Sequence, residues 1–324
     1  MNGTIETKNV VRGVMFGQLC DDRSHMHFTE WGRINDCGSL TPVQRVGSRM
    51  NGANGPKKGL KIGIAGKGGV GKTLLASTLA RLAARSTTFS RVLAIDNDPS
   101  LNLGMALGIP TDKIGCPISE MKDLIKERTG VAPGEGGGPF KLNPKVSDIP
   151  DKFAVAGPDG VRLLVLGTIK DPGSGCMCSS NALVRELLYH LIVQRDELVI
   201  LDFEAGIESS MGRATARGLD LLLVVVEPGQ KSIQVGEKLA SMANQLHIKH
   251  IRAIVNKVGD DKEGHAVVEQ LKSRGIDVIG TIPHSRAAVE ADMKGFPLLD
   301  IAPGDVAIAA IKRILDNIIN QFYT

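Results

Sequence analysis

Aromatic residues are scarce, making up 3% of the 324 residues. A core for a chain of this length must then come from Val, Ile, Leu and Ala, which suits a buried parallel sheet covered by helices. No apolar stretch reaches the length of a membrane-spanning helix; the longest, Leu219 to Val226, is interrupted by Asp220. The N-terminus lacks the basic region and following apolar segment that mark a secretory signal. Charge of one sign is not concentrated either. A formal net charge of +4 is mild for this length, and argues against a dedicated nucleic-acid binder with a basic face. The five cysteines follow no regular framework, which fits a reducing compartment better than a disulfide scaffold. These absences leave a cytoplasmic protein with no nucleic-acid or membrane partner as the expectation.

Residues 1–59 are polar and show no sustained period of 2 or 3.6. They end in the breaker-rich stretch Asn51-Gly52-Ala53-Asn54-Gly55-Pro56, and read as a disordered tail or an extension from an upstream start. Cys20, His25, His27 and Cys37 lie within it, at spacings that match no standard zinc motif. From residue 60 to 324 apolar runs alternate with helical patterns. Strands are expected at Lys61–Ala65, Arg91–Asp96, Arg162–Leu166, Leu198–Asp202, Leu221–Val226, Ile251–Asn256 and Val278–Ile282. Helices are expected at Leu74–Arg85, Asn181–Gln194, Lys231–Leu246, Lys262–Ser273 and Asp305–Phe322. Such alternation implies βαβ units: a single α/β domain, with a mostly parallel sheet flanked by helices and ligands at the carboxyl ends of the strands. Thr129 to Lys152, rich in Gly and Pro, breaks the alternation and reads as a long irregular loop.

The most specific feature is Gly66-Lys67-Gly68-Gly69-Val70-Gly71-Lys72-Thr73. It fits the phosphate-loop pattern G-x-x-x-x-G-K-[ST] and lies between an expected strand and an expected helix, the context the motif requires. Gly68, Gly69, Val70 and Gly71 would turn backbone N–H groups toward phosphate oxygens. Lys72 would reach the β- and γ-phosphates, and the Thr73 hydroxyl would sit on Mg²⁺. The strand Val199-Ile200-Leu201-Asp202 has the form of a Walker B strand and makes Asp202 the expected Mg²⁺ partner. A second strand end reads Asp96-Asn97-Asp98-Pro99. Either acid could position water or touch Mg²⁺, and both are also ordinary turn formers.

Lys67, a second lysine at the front of the loop, gives the chain a resemblance to the deviant Walker A ATPases, which include MinD, ParA and nitrogenase iron proteins. The resemblance implies a homodimer in which Lys67 acts on the partner's nucleotide, as an arginine finger does. It also implies that Asp98 orients the attacking water, that Asn256 bonds the adenine edge and that Pro283 lines the base. Asn256-Lys257-Val258-Gly259-Asp260 is one residue longer than the guanine-reading N-K-x-D, and the resemblance, more than this spacing, implies ATP over GTP.

Cys176 and Cys178 form a C-x-C pair flanked by glycines. Two thiolates cannot complete a tetrahedral or square-planar site, but two chains about a two-fold axis would bring four sulfurs together. By themselves two such cysteines are as easily incidental. Three further segments extend the resemblance: Phe140 to Lys152, Gly173 to Cys178, and Asp202-Phe203-Glu204-Ala205-Gly206-Ile207-Glu208. Together they are similar to the CooC family, accessory ATPases that help insert nickel into carbon monoxide dehydrogenase. Ser179 and Ser209 depart from that family's pattern. The resemblance implies an ATP-dependent metallochaperone holding Ni²⁺ or Zn²⁺ on Cys176 and Cys178 of two chains, with carbon monoxide dehydrogenase or a related nickel enzyme as client. Two alternatives stand beside it. An iron–sulfur scaffold ATPase would normally carry C-x-x-C, and a MinD-like positioning ATPase would carry a basic amphipathic C-terminal helix.

Overall fold

The computed structural model describes residues 59–98, 100–135, 139–167, 178–193, 197–203 and 218–323. The expected N-terminal tail up to residue 58, Cys176 and residues 204–208 lie outside the described residues. Eight strands form one sheet: β1 Lys61–Gly66, β2 Val92–Asn97, β3 Val155–Ala156, β4 Val161–Val165, β5 Leu198–Phe203, β6 Leu221–Val226, β7 His250–Val258 and β8 Val278–Pro283. Their spatial order is β3-β4-β2-β5-β1-β6-β7-β8. All neighbours pair in parallel except β3 with β4. The described helices are α1 Lys72–Arg85, α2 Leu103–Leu107, α3 Lys122–Thr129, α4 Ile149–Phe153, α5 Cys178–Val193, α6 Gln230–Gln245, α7 Asp261–Ser273, α8 Arg286–Lys294, α9 Leu298–Ile301 and α10 Val306–Phe322.

Apolar runs become central strands here because both faces of the sheet are covered. Side chains alternate across a strand, and β6 divides accordingly. Leu221, Leu223 and Val225 join a core with α1 and α10. Leu222, Val224 and Val226 join another with α5, α6 and α7. Every residue of β1, β2, β5 and β6 is buried. Truncating one of these Leu side chains to Ala costs about 2–5 kcal/mol.

The expected strands are all present, with no end shifted by more than two residues. Two expectations need correction. Thr129 to Lys152 is not wholly irregular. Thr129 closes α3, and α4 begins at Ile149 with Pro150 in its first turn. Arg128 grips Asp148 with two bonds of 2.9 and 2.8 Å, tying the segment back onto α3. The helix expected from Asn181 begins at Cys178 instead.

Helix α1 is anchored at its far end. Arg81, almost wholly buried, donates two 2.7 Å bonds to Asp300 of α9 and one of 2.6 Å to Asp159 before β4. This fixes the helix whose other end is the phosphate loop.

Candidate nucleotide site

The loop between β1 and α1 sits at the carboxyl edge of the sheet, where parallel topology puts ligand sites. Gly71 precedes α1 with φ 91°, a left-handed conformation, and an added Cβ would come within 2.5 Å of Asn256 Nδ2. Both facts require glycine there. The loop carbonyls are held one after another. Lys72 Nζ donates to Lys67 O at 3.3 Å, Lys257 Nζ to Gly69 O at 2.6 Å, Asn256 Nδ2 to Val70 O at 2.7 Å, and Leu75 N–H to Gly71 O at 3.1 Å. Only the Gly68 carbonyl takes no part in these bonds. A planar trans peptide points its N–H away from its C=O. With the Val70 carbonyl pinned away by Asn256, the Gly71 N–H of the same peptide turns the other way, at the positive end of a helix, an arrangement suited to phosphate.

A cavity of 740 Å³ opens above the loop. Its lining brings together Gly68, Gly69, Gly71, Lys72, Thr73, Asp98, Asn256 and Pro283, all expected from sequence. Met105, Val289, Phe296 and Leu298 add apolar lining, beside the charged Asp292. Val70 is fully buried beneath the loop. Asn256 also accepts the Lys257 N–H at 2.9 Å, so its amide is engaged on both atoms by backbone.

Asp202 is the penultimate residue of β5, opposite Ile64 of β1 and Asp96 of β2. It is almost wholly buried. Burial, the largest influence, pushes its carboxyl up to about 7; the neighbouring Asp96 and Asp98 charges act in the same direction, and Thr73 and Lys72 oppose them. The neighbouring Thr73 hydroxyl favours the ionised form, and neither carboxylate oxygen has a well-formed hydrogen bond among the described residues. A buried, unpartnered carboxylate beside a threonine hydroxyl is the donor set that a hydrated Mg²⁺ needs, so these residues fit the ion.

Asp96 has the same burial and a different job. Its oxygens accept Asp98 N–H at 3.1 Å and Leu103 N–H at 3.0 Å. Burial still raises it to about 6. Asp98 faces the cavity and accepts the Ser100 N–H at 2.8 Å, with the Ser100 hydroxyl bonded to the same oxygen.

Lys67 is half-exposed, and its ammonium lies 3.7 Å from Glu227 Oε1. Glu227 Oε2 is 3.3 Å from Lys257 Nζ. Neither Glu227 nor Lys257 was expected at the site. The available signal was position: each lies at the carboxyl end of a strand on the side where the loop sits. Cys178 is exposed at the start of α5 and does not line the cavity. Cys116 is disulfide-bonded, against the expectation of reduced thiols throughout.

A family model described as the CobQ/CobB/MinD/ParA nucleotide binding domain matches residues 62–298. An uncharacterized ATP-binding protein of Methanocaldococcus jannaschii is 43% identical over 242 residues, covering 74% of this chain and 91% of the relative. The carbon monoxide dehydrogenase accessory protein CooC of Rhodospirillum rubrum is 41% identical over 263 residues, 80% of this chain and 97% of CooC. Among solved structures, the septum site-determining protein MinD of Pyrococcus horikoshii, complexed with Mg-ADP, superposes with a TM-score of 0.57 at 16% identity. It covers 79% of this chain and 94% of that one.

Proposed function

We propose that this chain, which belongs to the CobQ/CobB/MinD/ParA nucleotide-binding family of P-loop ATPases, is an ATP-driven metallochaperone of the CooC type. Its cargo is nickel and its client is carbon monoxide dehydrogenase or a related nickel enzyme. Residues 60–324 act as one ATPase domain. The observation that carries the reading is the 41% identity running through 97% of CooC, with the phosphate loop and Asp202 intact in the same span.

Lys72 and the loop amides bind the β- and γ-phosphates. Thr73 and Asp202 hold Mg²⁺, which neutralises charge on the phosphate oxygens when bound. Asp98, at the cavity wall, orients the attacking water. Lys67 leaves Glu227 and enters the partner's site, where charge develops in the transition state. Asn256 and Pro283 border the adenine. Two chains closed around ATP bring Cys176 and Cys178 of each into one four-sulfur site for nickel or zinc. Hydrolysis reopens the pair and releases the metal. ATP and metal share the closed state, so each tightens the other's binding reciprocally. In the positioning alternative the last helix would meet lipid; here Ile308, Ile311, Ile314, Leu315 and Ile318 of α10 are buried.

The test is anaerobic nickel and zinc binding with and without ATP, beside a Cys176→Ser, Cys178→Ser double variant. The reading expects about one metal per two chains, tighter with ATP and lost in the variant. Metal binding indifferent to both cysteines would leave a dimeric ATPase of another kind.

A further inference from the structure

The end of β7 sends two consecutive side chains to the phosphate loop. Asn256 Nδ2 donates to Val70 O at 2.7 Å, and Lys257 Nζ donates to Gly69 O at 2.6 Å. Consecutive residues of a regular strand point to opposite faces, so a kink is needed for both to reach one target. Lys257 supplies it. Its φ is 59°, and the register with β8 shifts between Val255 and Val258. A residue with a side chain holds a left-handed conformation at a cost, and does so where its surroundings impose it. Here the imposed conformation delivers an ammonium to a glycine carbonyl. Glu227 braces the ammonium from the end of β6 at 3.3 Å.

We propose that Lys257 is a positioning residue of the nucleotide site. It clamps the Gly69 carbonyl outward, so that the loop stays in its phosphate-receiving shape before any nucleotide arrives. The clamp rests on reading the loop as a nucleotide site. With the Gly69 carbonyl held, the Val70 N–H of the same peptide turns back across the loop to Lys67 O at 3.4 Å. Gly69 itself, at φ 80°, has no Cβ to resist a flip of that peptide. Asn256 holds the Val70 carbonyl on one side; on the other, Lys72 holds that of Lys67, with the Gly68 carbonyl outside these bonds, so loss of Lys257 frees the Gly68-Gly69 stretch of the loop. Lys257 acts on phosphate only through the loop.

The experiment titrates the full chain with fluorescent ADP and ATP analogues in Mg²⁺. Lys257→Met keeps most of the stem and removes the charged donor. It is expected to weaken both nucleotides about tenfold or more, and equally, as loss of a hydrogen bond from a charged group should. Lys257→Arg restores affinity to within about threefold of wild type. Lys257→Gly relieves the backbone, so its nucleotide-free melting temperature is no lower than that of Lys257→Met, while its affinity stays as poor. Wild-type affinity in Lys257→Met would overturn the clamp and leave the nucleotide reading standing. A loss that tracks a lowered melting temperature and is not rescued by Arg would also overturn it, in favour of a role in folding alone. If the wild-type chain binds neither nucleotide, the nucleotide reading fails and the clamp falls with it.

Discussion

The ends of β2 and β5 lie side by side in the sheet, and each carries a buried aspartate one residue before its end. Asp96 and Asp202 are register partners, with exposures of 0% and 1%. Burial pushes both carboxyls up, to about 6 and about 7. Yet Asp96 accepts two backbone N–H groups, and Asp202 accepts none among the described residues. An aspartate satisfied by the chain is part of the turn it caps. A desolvated aspartate without such bonds awaits something from outside, and on the proposed reading, beside Thr73, that something is a cation.

The contrast is sharpest in turnover. Asp202→Asn keeps the shape and removes the charge. Mg²⁺-dependent ATP hydrolysis is expected to fall about 100-fold or more, the scale of losing one preorganised charge-stabilising group. Steady-state phosphate release measures it. Asp96→Asn should cost far less at saturating Mg-ATP, because its partners are backbone amides. Equal losses in the two variants, both folded, would erase the distinction.

Stability should reverse the ranking. In Asp96→Asn only one of the two accepting oxygens remains, and the amide that replaces the other meets a backbone N–H donor. A buried donor left unpaired costs about 1–3 kcal/mol. Urea unfolding of the nucleotide-free protein should show the midpoint lowered with the slope unchanged. An unchanged midpoint would mean that the turn from Asp96 to Leu103 holds without its cap.

How far sequence could see this is itself uneven. The phosphate loop was legible because its chemistry is written in local backbone requirements, such as the left-handed Gly71. The central strands were legible because a sheet covered on both faces leaves unbroken apolar runs, as in Leu221–Val226, which matched end to end. What was lost depends on contacts remote in sequence. Asp96 and Asp202 look alike as acids at strand ends; which of them the chain satisfies is decided by the return of Leu103 N–H in the tertiary turn. Helix α4 was hidden in a loop-like composition because it is anchored by Arg128 on Asp148, 20 residues away. Lys257 was passed over beside its more familiar neighbour Asn256, since its reach to Gly69, 188 residues back, follows from a left-handed kink. Asn256, expected at a base edge, also ties its amide to the loop through Val70 O.

The smallest effect is the most diagnostic of an unsatisfied carboxylate. A carboxyl raised by folding binds its proton in the folded state at pH values where the unfolded chain has released it. For Asp202 that window runs from the ordinary value of 3.8 to about 7. Within it the folded state holds more protons, so stability rises as pH falls, by about 1 kcal/mol per unit for such a group. Above about 7 both states are ionised and the cost of the buried charge is carried in full. Asp202→Asn removes that cost. With nucleotide absent and a chelator present, the variant should therefore melt above the wild type at pH 8, by about 2–4 °C for each kcal/mol recovered. The advantage should shrink as pH falls toward 4. Differential scanning calorimetry at pH 8 and pH 5 reads both signs. Asp96 sets the background against which this is seen, because its two amide partners oppose the same burial. A variant that melts lower at pH 8 would show that the folded chain does satisfy Asp202, and would remove the physical reason for assigning a cation to it.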